Sequence, residues 1–153
     1  MPSITPFLWF DVDLAEPIAF YTSVFADAKT SETFSNANEE PIFTATIELC
    51  GQQLLLLNGG PSNAGFRESI SLFVSVETQD EIDYLWERLI SEGGEPGRCG
   101  WLKDRYGLSW QVVPTVLGSL LGASDRTRAQ QATDAMMTMD RLDIATLQAA
   151  YDR

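Results

Sequence analysis

CGWLKDRYGLSWQVVP, residues 99–114, reads as a β-hairpin. Tyr106-Gly107 suits the turn, so strands are expected at 99–105 and 108–113. A second hairpin lies earlier in the chain. PIFTATIEL (41–49) alternates and is rich in Thr and Ile, Cys50-Gly51 turns the chain, and Gln52 to Asn58 form the return strand, ended by Gly59-Gly60-Pro61. The two return strands align without gaps: Gly51 meets Gly107, Leu56 meets Val112 and Leu57 meets Val113.

What precedes each hairpin also matches. ITPFLWF (4–10) reads as a strand, and LAEPIAFYTSVF (14–25) as an amphipathic helix with Leu14, Ile18, Tyr21 and Phe25 at helical spacing. Asp13 is the expected N-cap and Pro17 falls in the first turn, where proline is tolerated. In the second half, SISLFVSVE (69–77) reads as a strand and TQDEIDYLWERLISEGG (78–94) as a helix. Thr78 and Glu81 form a capping box, Ile82, Leu85, Trp86 and Leu89 the buried stripe, and Gly93-Gly94 the stop. At one offset Phe10 meets Val74, Asp13 meets Glu77, Ile18 meets Ile82, Phe20 meets Tyr84 and Phe25 meets Leu89. A longer loop around SNANEEP (35–41) absorbs the change of offset. The expected fold is α+β: two βαβββ modules, at about 1–62 and 63–114, followed by a helical extension at 115–153. In that extension Ser124 or Asp125 caps a helix carrying Ala129, Ala132, Met136 and Met139, and Asp143 caps a last short one. The apolar stripe of these helices needs cover, from the chain's own barrel or from a second subunit.

Composition excludes more than it selects. The chain has 153 residues, 22 acidic and 10 basic, for a net charge of −12. That balance argues against nucleic acid and against anionic membrane surfaces as partners. There is no histidine, so a Ser-His-Asp triad, a Cys-His pair and His-ligated metals are all excluded. No apolar run approaches the ~20 residues of a membrane helix, and the start has no signal-peptide pattern. Two Cys do not make a disulfide framework, so a cytoplasmic location with reduced thiols is expected.

Paired βαβββ modules resemble the vicinal oxygen chelate superfamily of glyoxalases, bleomycin-resistance proteins and extradiol dioxygenases. The wording PFLWFD, FYTSVF, LNGGP, ETQDEIDYLWERL, CGWLKDRYGLSWQVVP and the MxMxxLDIATLQAA tail is similar to its PhnB-like branch, often labelled demethylubiquinone methyltransferase-like. The resemblance implies a cupped mixed sheet around a cavity, the glyoxalase/bleomycin-resistance fold, and a homodimer. In metal-using relatives, ligands enter from the first and last strands of each module. Those positions map here onto Phe7, Ser71 and Gln111, which make no divalent-metal site. The expectation is therefore no metal and no cofactor. No glycine-rich strand-to-helix turn followed by an acid offers a cradle for a nucleotide-like methyl donor.

Strand alternation puts Phe7 and Trp9 on one face, Ser71 and Phe73 on another, and Gln111 with Ser109 on a third. These faces are either cavity lining or core. Trp101 and Lys103 project together from the hairpin. Lys103 could hold an anion, act as a desolvated base, or pair with Asp104 or another acid nearby. Gln111 orients a ligand or anchors a loop, Asn58 sits at the mouth of the cup, Trp110 packs on a helix, and Cys99 is an inert thiol unless a cation activates it. The expected ligand-binding set is Phe7, Trp9, Asn58, Ser71, Phe73, Trp101, Lys103 and Gln111. Three functions compete: a small-molecule binding protein without the usual metal, an enzyme of this fold using Lys103, Gln111, Cys99 or Glu48, and a scaffold whose cavity its own aromatics fill.

Overall fold

The computed structural model describes residues 1–35, 41–62 and 65–153. Most of the loop expected to absorb the offset (36–40) lies outside them. Two units form, Met1–Gly65 and Phe66–Arg153.

In the first unit, β1 (Phe7–Phe10) leads into α1 (Ala15–Val24), followed by β2 (Lys29–Ser35), β3 (Ile42–Leu49) and β4 (Gln52–Asn58). The sheet order is β1-β4-β3-β2, with β1 and β4 parallel and the other pairs antiparallel. Alternation sorts the side chains. Leu8, Phe10, Ala45, Ile47, Leu49, Leu54 and Leu56 are buried, and α1 adds Pro17, Phe20, Tyr21 and Val24 to them. Tyr21 packs its ring 5.2 Å from Phe20 and 6.4 Å from Phe10, centroid to centroid. Ile18, expected in the stripe, is only half-buried. Asp13 lies one residue outside the N-cap, which is Leu14, although its carboxylate still accepts the Ala15 N–H at 3.1 Å. Cys50 (φ 49°) and Gly51 (φ 79°) close the β3–β4 hairpin, and positive φ at both positions is what a two-residue type I′ turn demands.

Sequence reasoning placed no strand at β2. KTSETFS carries no apolar alternation because the whole strand is exposed at the sheet edge. It is held by its ladder to β3 and by backbone hydrogen bonds rather than by burial.

The second unit repeats the path. β5 (Ser71–Val76) and α2 (Gln79–Leu89) are followed by β6 (Glu95–Pro96), β7 (Trp101–Lys103) and β8 (Ser109–Pro114), ordered β5-β8-β7-β6 with β5 and β8 parallel. The capping box forms as expected: Thr78 Oγ1 accepts the Glu81 N–H, and the Glu81 carboxylate accepts the Thr78 and Glu77 N–H groups. Ile82, Leu85, Trp86 and Leu89 are buried. The helix ends at Leu89, short of the expected Gly94, because Glu92 and Gly93 both take positive φ and turn the chain.

α3 (Thr115–Leu121), α4 (Arg126–Met136) and α5 (Ile144–Tyr151) complete this unit. Asp125 and Asp143 cap α4 and α5 through the Arg128 and Thr146 N–H groups. Val113, Leu117, Leu120, Ala132, Leu142 and Leu147 form one buried cluster, with Met136 and Met139 packed against it. The stripe of the extension is thus covered by the chain's own second unit and is no argument for a dimer. Gln79 ties the extension to α2 by imitating a peptide group. Its Nε2 donates to Leu142 O (3.1 Å) and its Oε1 accepts from Ile144 N–H (2.9 Å). No helix among the described residues is long and apolar enough to cross a membrane.

Candidate functional site

The β7–β8 connection is five residues, Asp104–Leu108, not a tight turn at Tyr106-Gly107, because Lys103 pairs directly with Ser109. Asp104 organises it. One carboxylate oxygen accepts the N–H groups of Tyr106 (2.9 Å) and Leu108 (3.1 Å), and the other accepts Trp110 Nε1–H (2.9 Å). The residue is buried, so it is not the surface partner of Lys103, as one reading of the sequence had it. Trp110 spends its polar edge on Asp104 and buries its rings, as expected of a residue facing away from Gln111.

Register then fixes which side chains share the other face. Ser71 pairs with Ser109, Ser109 with Lys103, and Lys103 with Glu95; Phe73 pairs with Gln111, and Gln111 with Trp101. Paired residues project to the same side of a sheet. Two rows therefore cross the second sheet on one face: Ser71, Ser109, Lys103, Glu95, and beside it Phe73, Gln111, Trp101. A cavity of about 480 Å³ opens along the β6–β7 side of this face, lined by Trp101, Lys103, Ser109, Glu95, Glu68 and Arg98 with neighbouring backbone and Cys99. Its volume lies in the range of small-molecule pockets.

Within it, Lys103 Nζ sits 2.9 Å from Glu68 Oε1. That hydrogen bond and charge, with a smaller contribution from Glu95, hold the ammonium above its ordinary pKa. Partly exposed and paired with Glu68, Lys103 lacks the setting of a desolvated base. Arg98 donates from Nη2 to Met137 O (2.8 Å) and lies 3.6 Å from Asp140. The wall is braced from the extension, since Met139 O and Asp140 O accept the N–H groups of Cys99 (2.8 Å) and Gly100 (2.7 Å). Gly100 (φ 87°) has no room for a Cβ, which would meet Val112 O and Leu142. Cys99 is half-buried with its Sγ 3.7 Å from Met137 Sδ, and Cys50 is exposed; both are free thiols. Partial desolvation and then Asp27 push the Cys50 thiol up, away from thiolate.

Of the eight expected ligand-binding residues, only Trp101 and Lys103 line the cavity. Ser71, Phe73 and Gln111 stand on the same sheet face, and Gln111 Nε2 donates to Ser71 Oγ at 3.0 Å. Phe7 and Trp9 belong to the first unit, where both are about half exposed and so are not core. Trp9 lies flat on Gly59 and donates from Nε1 to Gly60 O at 2.9 Å. The Gly59-Gly60 pair is thus a seat for an indole. Asn58 pairs with Phe10, not with Trp9, and so projects to the helix-covered side, away from Phe7 and Trp9. Ser109, Glu68, Glu95 and Arg98 were missed as site residues. Alternation places Ser109 on the face of Gln111, although the expected set leaves it out; Glu68 and Glu95 stand in a loop and a two-residue strand that leave no pattern.

A divalent metal does not fit the positions that metal-using proteins of this fold employ. Phe7 has no donor atom, and Ser71 and Gln111 are neutral and bonded to each other. Among the described residues no cluster of three His, Cys, Asp or Glu is placed to hold one. A nucleotide-like methyl donor does not fit the strand-to-helix turns either. Neither Asp11–Leu14 nor Glu77-Thr78 contains glycine, and the first amides of α2 are taken by its own capping box.

Comparison with known proteins agrees with this architecture. A family model described as 3-demethylubiquinone-9 3-methyltransferase matches residues 2–113. The PhnB protein from Bacillus cereus, whose description carries the same methyltransferase name, is 30% identical, with a TM-score of 0.67 over 74% of this chain and 100% of its own. Protein PA1353 from Pseudomonas aeruginosa is 20% identical, with a TM-score of 0.59 over 74% of this chain and 98% of its own. The fosfomycin resistance protein FosX from Listeria monocytogenes, solved with Mn(II) and sulfate, is 15% identical, with a TM-score of 0.54 over 73% of this chain and 91% of its own. No curated protein matches.

Proposed function

The chain belongs to the 3-demethylubiquinone-9 3-methyltransferase family, the PhnB-like branch of the vicinal oxygen chelate superfamily, and from that membership we propose that it binds a small organic molecule in the cavity of its second unit without a divalent metal. The observation that carries this reading is the sheet face itself. Its polar groups are arranged around a cavity of about 480 Å³, while Ser71 and Gln111 are engaged with each other rather than presented as open ligands. An aromatic wall from Trp101 and a few fixed polar groups are the usual make-up of such a site. Catalysis has less support, because Lys103 is held as a charged ion pair and the Cys50 thiol is pushed up, away from thiolate.

The test is extraction of freshly purified protein and of Trp101→Ala in parallel, with small molecules identified by mass. The expected result is a compound enriched in the wild-type extract and absent from the variant. Indistinguishable extracts would overturn the proposal.

We also propose a homodimer in the cytoplasm. The support for the dimer is the open face of the first sheet, where Phe7, Trp9 and Phe34 are each about half exposed or more. Light scattering on wild type and on Phe34→Lys checks it: a mass of two chains falling toward one in the variant is expected, and a wild-type monomer contradicts it. Two free thiols suit a reducing compartment.

A further inference from the structure

The second unit's cavity contains a buried hydroxyl with nothing to bond. Ser109 is 1% exposed and its Oγ has no hydrogen-bond partner among the described residues. Its neighbours along the row do not relieve it, since Ser71 Oγ is engaged by Gln111 and Lys103 by Glu68. A buried hydroxyl left unpaired is unfavourable, and Ser109 lines the cavity wall. It is therefore placed to meet a polar atom of whatever enters.

The charges decide the sign of that ligand. Four charged side chains line the cavity. Lys103 is neutralised by Glu68 at 2.9 Å, and Arg98 is engaged by Met137 O and Asp140. Of the four, Glu95 alone enters no ion pair among the described residues; its charge acts on Lys103, which is already paired with Glu68. An anion would have to displace Glu68 from Lys103 while facing Glu95. A cation needs no displacement, and Trp101 on the same face adds an aromatic surface that favours positive charge.

Resting on the reading that this cavity binds a small molecule, we propose that its ligand is a short organic ammonium compound carrying a hydroxyl or carbonyl group at its other end. The ammonium lies against Glu95, the methylenes against Trp101 and the stem of Lys103, and the far polar group on Ser109 Oγ. Glu95 and Ser109 are separated by one intervening strand, or about 10 Å between their backbones. A chain of about five carbons spans what the two side chains leave open.

The test is ligand-observed NMR titration of the full chain with aminopentanol, pentylamine and hydroxypentanoate. Aminopentanol is expected to bind best, pentylamine more weakly, and hydroxypentanoate not at all. Ser109→Ala should weaken aminopentanol by about three- to tenfold, the worth of one hydrogen bond, and leave pentylamine unchanged. Glu95→Gln should weaken both amines by about two- to fivefold. Ser109→Ala removes a group that bonds nothing, so it should fold with undiminished thermal stability, which keeps the variant informative. Hydroxypentanoate binding as well as the amines would overturn the cation while leaving the cavity's role intact. No binding by any of the three would also overturn it, and the extraction comparison with Trp101→Ala would then say whether the cavity reading survives.

Discussion

The two units follow one path through four strands and a helix, yet they are held by different devices. In the first, the hairpin turns on two residues with positive φ, Cys50 and Gly51, and the N-cap residue of α1, Leu14, makes no side-chain cap bond. In the second, the hairpin is a five-residue loop fixed by the buried Asp104, α2 has a full capping box, and three further helices are packed on the sheet. The first unit keeps a long, exposed β2, and the second reduces the same element to Glu95-Pro96. Beside that short strand Lys103 and Trp101 stand partly exposed, next to a cavity whose wall includes the buried Ser109. One chain path can thus be specified twice, with the second copy carrying the polar chemistry.

This contrast is broken most severely in the extension, which has no counterpart in the first unit. Leu147→Ala empties a fully buried position in its cluster and is expected to destabilise the second unit by about 3–4 kcal/mol in denaturant titration. Asp104→Ala should follow at about 3 kcal/mol, because it strands the Trp110 indole N–H and two backbone N–H groups. A loss below about 1 kcal/mol would mean that Asp104 does not hold the second hairpin. Thr78→Ala removes one arm of the capping box and should lose about 1 kcal/mol. Asp13→Ala, outside the N-cap of α1, should lose distinctly less.

Acid sharpens the same comparison. Glu81 is lowered by the Glu77 and Thr78 amides, and Asp143 by its bonds to Thr146. Carboxyl groups lowered in the folded state stabilise it above their unfolded pKa, and that stabilisation is lost as pH falls through the folded pKa. Hydrogen exchange should therefore show the starts of α2 and α5 loosening below about pH 4, ahead of α1. Loosening of α1 first would contradict the assignment. The smallest effect belongs to the first hairpin. Cys50→Asn places a residue tolerant of left-handed backbone before Gly51 and should leave stability unchanged or raise it by a few tenths of a kcal/mol.

Where pattern and physics coincide, the fold was legible in the residues. β3, β4 and the α2 cap follow directly from alternation and from Thr78 with Glu81, and the shared order of strand, helix and hairpin exposed the repeat, although Gly51 in a two-residue turn and Gly107 in a five-residue loop are not equivalent positions. β2 was not legible, because an edge strand with no buried face carries no periodicity. The Asp104 loop was not legible either, because an Asp beside a Lys on a hairpin looks like a surface pair until its burial is known. The site shows the same division. Trp101 and Lys103 followed from strand alternation, whereas Glu68 and Glu95 reach the cavity only through tertiary placement. Asn58 was misplaced because strand register, not proximity to Gly59-Gly60, decides its face.

On the function proposed above, the second unit's cavity holds a small organic molecule without a divalent metal. The most direct measurement is the native mass spectrum of freshly purified protein, recorded before and after exhaustive chelation. A small-molecule adduct that survives chelation unchanged is expected. An adduct that disappears with the chelator, or stoichiometric metal in its place, would contradict it.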